Sequence, residues 1–263
     1  MKKLATMTLT LAALALVAAA GAEAGDKQKV KIGTEGAYPP FNAIDKDGKL
    51  VGFDIEIADA LCAAANFECE YVVQDWDGII PGLVAKKYDA IIASMSITPK
   101  RKEVVDFTGK YYNTPAKFVA AKGAGLDISA EGLDGKAVGV QRATIHEDFL
   151  RARFPGVEVR PYATQDEANA DLVSGRVDLV MADSVALLEG FLGTDEGKGF
   201  EFVGPDYNDP KFHGEGAGIA IRKGEDDLRK AFNAAIEKIR SDGTYEKINA
   251  KYFDFDVYGK PTS

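Results

Sequence analysis

The stretch KKYDAIIASMSITPKR, residues 86–101, decides the fold. Residues 88–93 read as one apolar run, the pattern of a parallel strand buried on both faces. A basic helix end precedes the run, and the small polar residues Ser94 and Ser96 follow it. The segment SGRVDLVMADS, residues 174–184, repeats this order: helix end, basic residue, Asp, apolar strand, small polar residues. Two such echoes in one chain imply duplicated lobes. Around each echo, strand-like and helix-like segments alternate with short turns. Strands are expected near 30–34, 70–73, 117–121, 136–140, 157–160 and 177–181. Helices are expected at 55–62, 79–85, 144–154, 166–174 and 226–252, the last broken at Asp242-Gly243. Such alternation points to an α/β protein with parallel sheets.

The ligand of an open α/β sheet sits beyond the carboxyl ends of its strands. Here those ends are Thr34-Glu35, Gln74-Asp75-Trp76 and residues 93–96 in the first half, then residues 141–144 and 182–184 in the second. Carboxylates, aromatics and hydroxyls are thereby expected around one cleft. Gly214-x-Gly216-x-Gly218 does not lead from a strand into a helix, so it reads as pliant backbone between the lobes and not as a dinucleotide loop. There is no P-loop, HExxH, GxSxG or CxxC.

Composition narrows the function further. The 263 residues are 46% apolar and 28% charged, an ordinary globular balance. Thirty-two basic against 41 acidic residues give a net charge of −9 with no basic run, which argues against nucleic acid as a partner. With only two histidines, His146 and His213, far apart in sequence, neither a metal nor a cofactor is expected.

Residues 1–24 carry a basic start, an apolar run over 4–20, and Ala22-Glu23-Ala24, which fits the small-x-small cleavage rule. They read as an export signal cut after Ala24. Export makes Cys62 and Cys69, seven residues apart, a candidate disulfide.

GFDIEIADALC, residues 52–62, resembles the signature segment of the extracellular solute-binding proteins that feed polar amino acid ABC transporters. IGTEGAYPPF (32–41), WDGIIPGL (76–83), the two echoes, and DGTYEKINAKYFDFDVYG (242–259) follow in that family's order, so the resemblance covers the mature chain. It is nearest to the lysine/arginine/ornithine and histidine receptors, whose disulfide matches the spacing of Cys62 and Cys69. The resemblance implies a two-lobed periplasmic binding protein (type II), each lobe a sheet flanked by helices, joined by two hinge strands near 112–116 and 211–215. Lobe 1 would comprise residues 25–113 plus 215–263, and lobe 2 residues 114–214. The implied partners are a basic amino acid, arginine foremost, and an inner-membrane ABC permease. The protein itself is expected as a periplasmic monomer and not an enzyme.

Carried over residue by residue, the resemblance makes Arg101 a bidentate partner of the ligand α-carboxylate. Ser96 would bond the same carboxylate or the amino group, with Ser94 a neighbouring polar contact. Asp183 would pair with the α-ammonium, Thr144 would face the carboxylate from a helix N-terminus, and Tyr38 and Trp76 would sandwich the ligand side chain. Glu35 would pair with the side-chain cation. Three positions depart from the family. Ile145 stands where many members have a second Thr, leaving only its backbone N–H. Glu35 is one methylene longer than the usual Asp, and Ala93 replaces a Ser. Relatives that bind octopine or nopaline share Glu-Gly-x-Tyr and Trp here, so an opine ligand is the alternative. A periplasmic dehydratase related to cyclohexadienyl dehydratase is the remaining one.

Overall fold

The computed structural model describes residues 27–259; the expected export signal lies outside them. Two five-stranded sheets form the frame. The first half of the chain supplies β1 (Gln28–Thr34), β2 (Ala37–Tyr38), β3 (Asn42–Ile44), β4 (Leu50–Val51), α1 (Phe53–Ala64), β5 (Phe67–Val73), α2 (Trp76–Val84), β6 (Ala90–Ile91), α3 (Pro99–Lys102) and β7 (Val105–Tyr112). The middle supplies β8 (Ala116–Ala121), β9 (Ala137–Gln141), α4 (Ile145–Arg153), β10 (Glu158–Tyr162), α5 (Gln165–Val173), β11 (Leu179–Asp183), α6 (Ser184–Leu187) and β12 (Phe200–Tyr207). The chain then returns through α7 (Pro210–His213) and β13 (Ala217–Arg222) to α8 (Asp226–Ser241) and α9 (Thr244–Tyr252). The second crossing, expected as a hinge strand near 211–215, is therefore a short Asp209-capped helix and a glycine turn. The first sheet runs β5-β1-β6-β13-β7 and the second β10-β9-β11-β8-β12, while β2-β3-β4 make a small third sheet.

The sheets are mixed, not parallel as the alternation suggested. In the first, β13 is antiparallel to both β6 and β7. In the second, β8 is antiparallel to β11 and β12. The antiparallel members belong to the segments that carry the chain between the sheets, and crossover patterning says nothing about their direction. The apolar run at 88–93 also pairs over a shorter length than expected, at Ala90–Ile91.

Each sheet is covered on both faces, so the strands that approach the cleft are apolar until their last residue. In β11, Leu179 through Ala182 are buried and Asp183 is the first polar residue; β9 is buried throughout and ends on Gln141. Phe41, Phe53, Phe232 and the α9 aromatic Tyr245 pack on one face of the first sheet, and Ile79, Leu83 and Tyr88 on the other. Burying a side chain of this size contributes roughly 1.5–3 kcal/mol. The Cys62–Cys69 disulfide forms as expected, tying α1 to β5 on the side away from the cleft. Across the return connection, Gly214 and Gly216 have φ of 73° and 111°, the left-handed region that glycine tolerates. A Cβ at Gly214 would lie 2.2 Å from the Ile97 carbonyl oxygen.

Candidate functional site

All nine residues assigned from the sequence (Glu35, Tyr38, Trp76, Ser94, Ser96, Arg101, Thr144, Ile145 and Asp183) line one cavity between the two sheets. The lobes meet around it. The Gln141 side-chain amide donates to Glu35 Oε1 at 2.5 Å, the Asp183 backbone N–H to the Tyr38 hydroxyl at 3.2 Å, and the Trp76 indole N–H to the Ala143 carbonyl at 3.1 Å. On the rim, Arg142 pairs with Asp77 at 2.6 Å and Lys100 with Asp148 at 2.8 Å. The form described is therefore closed.

Acid and base stand at different places in this cavity. Glu35 follows the last residue of β1 and is 7% exposed. Burial pushes its carboxyl up to about 7, against the Gln141 hydrogen bond and assisted by Asp75, Asp166 and Asp77. Arg101 sits in α3, begun by the Thr98 cap and Pro99. Its guanidinium donates to the Ser96 carbonyl at 3.0 Å and lies 5.2 Å from the centre of the Trp76 ring. Burial holds it down, to about 10, with only the more distant Asp148 opposing. A desolvated guanidinium that forms no ion pair among the described residues suits an incoming carboxylate.

Asp183 caps α6, accepting the Val185 N–H at 2.9 Å and the Thr114 hydroxyl, and burial lifts it to about 6. Asp178, five residues earlier and just before β11, holds the Ala137 N–H and Lys136 instead and lies off the cavity. Thr144 caps α4: its hydroxyl donates to the Gln141 carbonyl at 2.7 Å and accepts from the Glu147 N–H. The first N–H groups of α4 are left aimed outward from the helix start, where an anion is favoured. Tyr38 is braced from behind by Phe41, whose ring stacks on Tyr112 at 4.5 Å.

Several lining residues carry no sequence signal of a role. Gln141 was placed on the rim as a strand end but given no partner. His146 and His213, 67 residues apart in sequence, come together with ring centres 6.2 Å apart. Burial, His213 and Arg101 push His146 down to about 3, so the pair is uncharged. Thr114 holds Asp183 from the link between β7 and β8. Only long-range proximity reveals these.

A cleft with an acid, a guanidinium and two aromatics between closing α/β lobes fits a receptor, and comparison with known proteins bears on which kind. The family model of the bacterial extracellular solute-binding proteins, family 3, matches residues 30–255. The chain belongs to that family. An L-arginine-binding protein of Pseudomonas aeruginosa is 52% identical over 238 residues, covering 90% of this chain and 92% of its own. A histidine-binding periplasmic protein of Escherichia coli is 44% identical over 261 residues, 98% of this chain and all of its own. Among solved structures, a Salmonella typhimurium periplasmic binding protein studied for its high arginine specificity superposes with a TM-score of 0.80 at 34% identity, covering 86% of this chain and 99% of that one. The fold is thus the two-lobed type II arrangement of these solute-binding proteins. These relatives are named for binding amino acids, in keeping with a receptor and not a dehydratase.

Proposed function

We propose that this protein is the periplasmic receptor of an ABC importer for a basic L-amino acid, arginine foremost. The observation that carries the reading is a buried acid, Glu35, and the desolvated guanidinium of half-buried Arg101 lining one cavity that also holds Asp183. A basic amino acid presents the complementary set: a side-chain cation for Glu35, a carboxylate for Arg101 and an ammonium for Asp183. Tyr38 and Trp76 then flank the side chain, and such stacking against a cation contributes roughly 0.5–2 kcal/mol per ring. The backbone N–H groups of Thr144 and Ile145 complete the carboxylate cradle, the Thr144 hydroxyl proton being held by the Gln141 carbonyl, and Ser96 offers its hydroxyl beside it.

Residues 1–24 serve as the export signal in this reading. The lobes are residues 25–113 with 215–263 and residues 114–214, since the chain passes between the sheets at 113–115 and 208–216. No bond is made or broken. A ligand that touches both lobes favours the closed form by its differential affinity, and the closed monomer docks on a membrane permease. The relatives named for arginine and histidine binding support this assignment.

The test is a thermal-shift panel on mature protein, refolded free of carried-over ligand. It holds arginine, lysine, ornithine, histidine, glutamine, glutamate, octopine and nopaline. A ligand at about 100 times its Kd stabilises by roughly 2.7 kcal/mol, or about 5–10 °C for a protein of this size. Shifts confined to the basic amino acids are expected; a shift with the opines alone would replace the ligand class, and a response to none would overturn the reading.

A further inference from the structure

Asp54, the second residue of α1, is fully buried and touches no cation among the described residues, yet it is the hub of the polar contacts beneath the cavity. Its carboxylate accepts three hydrogen bonds: from the Asn42 side-chain amide at 2.8 Å, the Ser94 hydroxyl at 2.9 Å and the Tyr111 hydroxyl at 2.8 Å. Between them the three donors hold two cavity segments, at Gly36 and at Ser94. Asn42 uses its carbonyl oxygen to accept the Gly36 N–H at 2.8 Å, next to Glu35 and two residues before Tyr38. Tyr111 turns its oxygen to the Ser94 N–H at 3.0 Å, and its own backbone carbonyl is held by Tyr245 at 2.7 Å. Ser94 itself has a φ of 55°, a conformation that a serine keeps only where surrounding contacts hold it.

Burial lifts the Asp54 carboxyl to about 6 against the hydrogen bonds it accepts, so it is ionised at neutral pH, and an ionised carboxylate can only accept. Asp54 therefore fixes the direction of every bond in the network. Asn42 must offer its NH2 group to Asp54 and its oxygen to Gly36. Tyr111 must give its proton to Asp54 and keep its lone pairs for the Ser94 N–H. Ser94 must spend its only proton on Asp54, so what its hydroxyl presents to the cavity is an acceptor. An acceptor on the wall of the cavity that Asp183 also lines suits an ammonium and repels a carboxylate. Ser94 thus belongs with the ammonium end of the ligand and apart from the Arg101 clamp.

We propose that Asp54, outside the cavity wall, is a positioning residue for recognition of the ligand's α-ammonium, acting by polarising Ser94 as an acceptor and by tying the Glu35–Tyr38 loop to it through Asn42. This rests on the amino acid reading above. Asn at position 54 keeps the size but brings an NH2 group, which either opposes one of the three donors or releases the Ser94 proton toward the cavity.

The experiment compares arginine with argininic acid, in which a hydroxyl replaces the ammonium, by titration calorimetry on wild type, Asp54→Asn, Ser94→Ala and the double variant, each checked for native circular dichroism. Wild type is expected to prefer arginine. Asp54→Asn is expected to lose about tenfold in arginine affinity and far less for argininic acid, as suits a hydrogen bond to a charged group. Ser94→Ala should shrink the same ratio, and the double variant should lose no more than the larger single loss. A ratio unchanged in Asp54→Asn, or a loss shared equally by both ligands, overturns the positioning role and leaves Asp54 a structural residue. Should Asp54→Asn not fold, Tyr111→Phe removes the phenol that links Asp54 to the Ser94 N–H; it must shrink the ratio about threefold, and an unchanged ratio overturns the role equally. Wild type that binds no α-amino acid would overturn both this proposal and the reading beneath it.

Discussion

Glu35→Gln isolates the group that selects a cationic side chain. Lifting Glu35 from 4.5 to about 7 corresponds to roughly 3 kcal/mol for keeping it ionised in the cavity. A ligand guanidinium about 4 Å away attracts it by about 4 kcal/mol at an effective dielectric constant of 20. At pH 7.5 Glu35 is already mostly ionised, so that cost falls on folding and not on ligand binding, and the amide at the same place keeps a neutral hydrogen bond of about 1 kcal/mol. The net loss for arginine is about 2–3 kcal/mol, or roughly 30- to 150-fold in Kd. Citrulline has nearly the shape of arginine with a neutral ureido group, so it should bind the variant as well as or better than wild type. Titration calorimetry at pH 7.5 with both ligands reads the exchange. An arginine Kd within threefold of wild type, with citrulline unaffected, would refute the assignment of Glu35 to the side-chain cation.

Three further outcomes follow from the same geometry. In the closed cavity burial lifts Glu35 to about 7 and Asp183 to about 6, and the ionised forms are the ones that meet a cationic ligand. Arginine affinity should therefore rise between about pH 5.5 and 8 and then flatten, with proton release at pH 6.5 visible as a dependence of the binding heat on the buffer; a Kd constant over that window would contradict the raised values. Arg101→Ala should weaken arginine, lysine and histidine by a common factor of about 30 or more, because each loses the same carboxylate partner; a loss confined to one of them in calorimetry would show the clamp misassigned. Replacing Cys62 and Cys69 by Ser opens a seven-residue link, which should cost about 2–3 kcal/mol and lower Tm by about 5–10 °C with ligand affinity unchanged, whereas a parallel loss of affinity would place the disulfide in the site's support.

What the sequence made legible has a physical pattern. Strand ends can be placed because buried strands stay apolar until they reach the cleft, as β11 does up to Asp183, so Glu35, Trp76, Ser94 and Thr144 could be put on one rim. The start of α4 was equally readable at Thr144, whereas the short α3 begun by Thr98 and Pro99 was not expected. Strand direction was not, because an antiparallel member such as β13 has the same apolar pattern as a parallel one. Side-chain partners across long separations were not legible either. Nothing near Gln141 announces that its amide meets Glu35, 106 residues away. Nor does anything near Asp54 announce Ser94, 40 residues on, although the signature segment contains it. Arg101 is the converse case: in a run of Lys, Arg and Glu it looks solvated, and only the resemblance singled it out before the fold placed it against Trp76.

The most direct test of the whole account is calorimetry of ligand-free mature protein with arginine, agmatine and citrulline at one pH. Agmatine lacks the carboxylate meant for Arg101, and citrulline lacks the cation meant for Glu35. Arginine should bind at least about 30-fold more tightly than either, since each analogue leaves one buried charge unpaired. Agmatine or citrulline matching arginine would contradict a receptor that reads both ends of a basic amino acid.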